Sequence, residues 1–138
     1  MHAFLVVSLL ASMLTPTTTP VADPCGPPAC RQAFAAHYAV GVMRRAALNN
    51  GLTPADCMVS SPWHKLGAWV HIQAGDKGRD CLNADRSADK DLKRHRKNRM
   101  VELDFESAKH LCGITRVAEK PWRECPVQVT DIAPPAPG

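Results

Sequence analysis

The chain is poor in aromatic residues, with three Phe, three Trp and one Tyr in 138 positions. None of them falls within its most basic stretch, Lys90 to Arg99. Single-stranded nucleic acid is usually held by bases stacked on rings beside a cationic groove, so the missing rings argue against that mode here. No Cys-x-x-Cys or His-x-x-x-His spacing occurs, which removes the common zinc frameworks and leaves no cofactor implied. Gly-x-Ser-x-Gly and His-Glu-x-x-His are also missing, and His64, His71, His95 and His110 are scattered. No apolar run reaches the ~20 residues that a membrane-spanning helix needs.

What is present points first to export. Met1 to Leu14 is apolar over about the length of a signal-peptide core, and "TPTTTPVAD" follows it with Val21-Ala22 as a small-residue cleavage site. Six cysteines, an even number, fit an oxidising compartment. Short-loop closure favours Cys25 with Cys30, Cys57 with Cys81 and Cys112 with Cys125, although six cysteines allow about fifteen connectivities. The net charge of +4 is modest. Much of the excess lies in Lys90 to Arg99, where Lys90, Lys93, Arg94, Arg96, Lys97 and Arg99 are cations. Asp85, Asp89 and Asp91 lie near the start of this segment and its bases near the end, the order that a helix dipole favours.

The periodicity predicts an α+β chain. Phe34, Tyr38, Val42 and Ala46 recur at four-residue spacing and predict a helix over Cys30 to Asn50, closed by Gly51 and Pro54. Short strands are expected at Cys57 to Ser61 and in "AWVHIQ", with a turn in "AGDKGRD". A solvated helix is expected from Ser87 to Asn98. It leads into a half-buried strand in which Val101, Leu103 and Phe105 alternate with Glu102 and Asp104. Trp63 and Trp69 are expected to pack the sheet. The end of the chain, residues 126 to 138, reads as an extended Pro-rich tail.

Three segments together carry a family resemblance: "RRAALNNGLTPADC", then Asn83, then "KNRMVELDF". Their order resembles the second half of the OmpA-like peptidoglycan-associated domain, over roughly residues 23 to 105. Asn98, Arg99, Val101 and Glu102 match that family's closing strand motif, with Met100 in place of its second Arg. The resemblance implies a βα sandwich lacking its first strand-helix unit, with a small mixed sheet packed on one side by two helices. It divides the chain into a signal peptide (1–22), a domain (23–111) and a disulfide-bearing extension with a tail (112–138). Its implied function is non-catalytic: an envelope or periplasmic protein binding the diaminopimelate of peptidoglycan stem peptides. Asp23 would meet the ammonium and Arg99 the carboxylate, with Asn98 beside it. Tyr38 stands where the family has its carboxylate-binding Arg, with His37 adjacent, and Val21-Ala22 replaces the family's His-Thr. Two alternatives stand beside this reading, a nucleic-acid-binding protein using the basic helix and a small secreted disulfide-bonded enzyme.

Overall fold

A computed structural model describes residues 30–116 and 124–136. The expected signal peptide, Asp23 and Cys25 lie outside these. The elements run β1 (Cys30–His37), α1 (Val42–Asn49), β2 (Met58–Ser60), β3 (Trp69–Ala74), β4 (Lys77–Asp85), α2 (Asp89–Asn98), β5 (Met100–Leu103), α3 (Phe105–Cys112) and β6 (Pro126–Ile132).

The six strands close into a barrel in the order β1-β5-β2-β4-β3-β6. Two of the pairings are parallel, β1 with β5 and β2 with β4. The other four are antiparallel. This corrects the expected open sheet covered on one side by two helices. Closure leaves no free edge, and the main core fills the inside of the barrel rather than a sheet-to-helix interface. Ala33, Ala35, Val59, Val70, Ile72, Cys81, Val101, Leu103, Val127 and Val129 form that core, joined by Ala108 and Leu111 of α3. A smaller layer lies where Met43 and Ala47 of α1 meet Met58, Leu82 and Ala84, with Tyr38 at its margin.

The largest departure from the sequence reading is the long first helix. Residues 30–37 are a strand and only Val42–Asn49 are helical. The four-residue repeat runs by accident across a strand, a loop and a helix. Gly41, at φ 76°, marks the break. The Ala-rich composition of β1 carries some helix propensity, but parallel pairing to β5 and antiparallel pairing to β6 decide the outcome. Small Ala33 and Ala35 also suit the inside of a narrow barrel.

Three further corrections follow. The turn in "AGDKGRD" is confined to its first residues, because β4 begins at Lys77. Phe105 does not continue β5 but opens α3, where it is half-buried. Asp104 caps that helix: one carboxylate oxygen accepts from Ser107 N–H at 3.0 Å, the other from Met58 N–H at 2.8 Å. Charge-assisted bonds of this kind anchor both helix and strand. The expected tail contains β6, which pairs with β1 and β3 and so completes the barrel. Strands β2, β3 and β5 and helix α2 stand close to where periodicity puts them.

Two disulfides are present as expected. Cys57–Cys81 ties the approach to β2 to β4, and Cys112–Cys125 ties the end of α3 to the approach to β6. Cys30 is disulfide-bonded as well. These bonds fit an oxidising, exported setting. Among the described residues, no helix is long and apolar enough to cross a membrane.

Candidate acid-base site

Strand register brings together three polar residues that sequence separation hides. Ser60 of β2 is paired with Glu102 of β5 on one side and with Asp85 of β4 on the other. Residues directly opposite one another share a face of the sheet, so Glu102, Ser60 and Asp85 form one row across β5, β2 and β4. Val59, Val101 and Leu103 alternate with this row and occupy the core. The row therefore lies on the outer face of the barrel, where α2 packs on β5 and α1 on β4. A register shift between Val59 and Ser60 sets Asp85, rather than Ala84, opposite Ser60. A bulge of this sort re-aims a side chain.

Tyr38 completes the cluster from the loop after β1. Its backbone N–H donates to the Leu103 carbonyl at 2.9 Å, and its hydroxyl donates to Asp85 Oδ2 at 2.9 Å. Burial and the nearby carboxylates of Glu102 and Asp85 push the phenol far above its ordinary value. Tyr38 is thus a neutral donor that holds the Asp85 carboxylate in place.

Glu102 behaves differently. Burial first, then the negative charge of Asp85, push its carboxyl up from 4.5 to about 7, with Arg94 opposing. His95 Nε2 of α2 lies 3.6 Å from Glu102 Oε1. That distance suits an ion pair, yet burial and then Arg94 lower the His95 value while Glu102 is raised. These opposed directions keep the contact from being a full ion pair near neutrality, and His95 Nδ1 lies 3.1 Å from the Ser87 hydroxyl. The result is two carboxyl groups in one row of the sheet, with Glu102 holding its proton well above the ordinary carboxylate range because of burial and the nearby Asp85.

The raised Glu102 value has a measurable consequence for stability. Between pH 4.5 and 7 the folded chain binds more protons at this position than the unfolded chain, so folding stability falls as pH rises through that window. Glu102→Gln removes the effect. Relative to the wild type, the variant is expected to gain on the order of 2 kcal/mol between pH 4 and pH 8, allowing for partial exposure of the side chain. Urea unfolding at several pH values reads this directly, and a wild-type-to-variant difference that stays constant with pH would contradict the assignment.

A second polar chain lies beside the first. Ser61 Oγ is 2.6 Å from His64 Nδ1, and His64 Nε2 is 2.6 Å from Asp131 Oδ1 of β6. The order Ser-His-Asp is that of a nucleophilic triad. Here, however, Ser61 is only 1% exposed, and its oxygen also accepts the Trp63 N–H at 3.3 Å. The chain acts as a clamp on the loop after β2. Buried Asn83 fixes the same loop, accepting from Ser61 N–H and donating to the carbonyls of His64 and Lys65.

Of the residues singled out from sequence, Tyr38 sits in the acid-base cluster. Asn98 is the last residue of α2. Arg99 follows in the left-handed conformation, φ 54°, and its Nε donates to the Gln32 carbonyl at 2.7 Å, while its own carbonyl accepts from Phe34 N–H. Among the histidines, His95 and His64 join the networks above, and His71 pairs across β3 and β4 with Asp80 at 2.7 Å. His110 is exposed on α3. Sequence reasoning missed Asp85 and Glu102 as a pair, because only the β4-β2-β5 register unites them. Searches against family models, curated proteins and solved structures give no significant match.

Proposed function

We propose that the chain is an exported acid-base enzyme that cleaves glycosidic bonds in an envelope or extracellular glycan. The observation that carries this reading is the Glu102–Asp85 pair, two carboxyl groups in one row of the sheet, with the Glu102 carboxyl pushed up to about 7. Glycosidic cleavage asks for a division: a protonated carboxyl donates to the departing sugar oxygen while a charged carboxylate serves the other side of the bond. In this reading Glu102 is the acid. Asp85, oriented by the Tyr38 hydroxyl, is the carboxylate that takes a proton from water or stabilises positive charge at the sugar carbon. Glu102 must end the cycle protonated again, which its value near 7 allows.

The non-catalytic grip on a stem peptide finds less support. Arg99 is engaged with the Gln32 carbonyl, and Tyr38 serves Asp85 rather than a ligand carboxylate. The envelope setting carries over to the enzyme reading through the disulfides. Incubation of the purified chain with polysaccharides, including peptidoglycan, followed by mass spectrometry of soluble products, tests the proposal. Release of oligosaccharides that depends on both Asp85 and Glu102 supports it, and intact glycans throughout would overturn it.

A further inference from the structure

The clamped loop and α2 enclose a cleft of about 160 Å³ lined by Pro62, Trp63, His64, Lys65, Arg86, Leu92 and Arg96. Three of these are cations and none is a carboxylate. The cations come from three separate parts of the chain: the loop after β2, the end of β4 and helix α2. Their convergence is thus a property of the fold and not of a local charge run. Arg96 is positioned rather than free to swing, since its Nε donates to the Pro62 carbonyl at 2.9 Å. Arg86 makes one contact with Asp89 at 3.5 Å, and Asp89 is 95% exposed, so solvent screens that attraction. Trp63, Pro62 and Leu92 supply apolar wall between the charges.

The cleft also adjoins the acid-base row along the chain. Ser60 leads through Ser61 into Pro62 and Trp63, Asp85 is followed by Arg86, and His95 by Arg96. Cleft and row are therefore neighbours along the backbone, at Ser60 to Pro62 and at Asp85 to Arg86.

We infer that this cleft is an anion subsite that seats a carboxylate of the glycan beside the cleaved bond, making the enzyme selective for acidic over neutral polysaccharide. The inference rests on the acid-base reading for the position of the bond, but binding at the cleft is independent of turnover. Guanidinium groups suit this task because their planar donors match the two oxygens of a carboxylate. Two sources supply such a group on a glycan: a uronic acid ring, or the peptide carried by peptidoglycan.

Calorimetry and amide NMR with three probes test the inference: an oligogalacturonate, a peptidoglycan disaccharide-peptide, and a neutral cello-oligosaccharide of equal length. Either carboxylated probe should shift the Trp63 indole and the backbone resonances of Lys65 and Arg86, with affinity at least tenfold above that of the neutral sugar. Which of the two binds identifies the source. Arg86→Gln and Arg96→Gln should each weaken that probe about tenfold, and added salt should weaken it further. Arg86→Gln is the safer variant, because Arg96 also braces the loop at Pro62. Equal binding of neutral and acidic probes, or undiminished affinity in both variants, would overturn the subsite. Binding that follows this pattern in a chain that cleaves no glycan would leave the subsite standing and remove the enzymatic reading.

Discussion

Asp85→Asn is expected to lower glycan turnover by about 10²- to 10⁴-fold while leaving the thermal midpoint close to that of the wild type. The substitution preserves size, and its side-chain oxygen can still accept the Tyr38 hydroxyl proton that Asp85 Oδ2 accepts at 2.9 Å. What it removes is a negative charge with two jobs. One is direct, at the sugar carbon or the attacking water. The other is to hold Glu102 protonated, since Asp85 ranks next to burial among the causes of its raised value. Residual activity should therefore show a second sign. With the charge gone, Glu102 loses its proton at lower pH, so the alkaline limb of the pH-rate profile moves to lower pH. A merely structural Asp85 would lower activity without moving that limb. Wild-type turnover with an unmoved limb would remove Asp85 from the chemistry.

Leu103→Ala carries the largest expected effect on stability. Leu103 is fully buried at the end of β5, inside the barrel core with Val59 and Val101. It is paired to both β1 and β2, opposite His37 and Val59. Truncation leaves a cavity walled by strands that cannot collapse without breaking closure, so a cost of about 3 to 5 kcal/mol is expected. That is a large share of the ~5 to 15 kcal/mol by which a domain is usually stable. Urea unfolding measures it. The half-buried Phe105, outside the strand, should cost less than Leu103 when cut to Ala. The reverse order would mean that the barrel interior is not the principal core.

Those two residues also show where sequence reading succeeds and stops. The alternation Val101, Leu103 against Glu102 places β5 and its buried face, and the acid-to-base order of Asp89 to Lys97 places α2. Both signals are local. Barrel closure is not, because it depends on β6, whose alternating Val127 and Val129 stand beside a Pro-rich end that suggests a tail. The first strand was hidden for a different reason: Ala33, Ala35 and Ala36 all suit a helix, and Ala33 and Ala35 suit the inside of a small barrel equally well. Helix α3 did leave a signal, Asp104 as N-cap and Gly113 past the last turn, but the preceding alternation ran on through Phe105 and obscured it.

The site divides in the same way. Tyr38 drew notice as part of an apolar stripe and through a family resemblance that assigned its position a different role. Asp85 and Glu102 are ordinary acids in the sequence, one beside a helix start and one on the polar side of a strand. They become a pair because Ser60 is opposite both, and Ser60 is opposite Asp85 only because β2 and β4 shift register by one residue. Such a shift has no signature in either strand alone. The cationic cleft is partly legible as basic residues on α2, yet Lys65 and Arg86 come from elsewhere, and the concentration of positive charge belongs to their convergence.

The central claim is that burial and the neighbouring Asp85 keep the Glu102 carboxyl protonated well above the ordinary carboxylate range. Carboxyl ¹³C NMR of the folded chain, followed from pH 3 to 9, measures it directly. The account requires a Glu102 midpoint close to 7, displaced downward in Asp85→Asn. A midpoint at the ordinary 4.5, unmoved by that substitution, would contradict it.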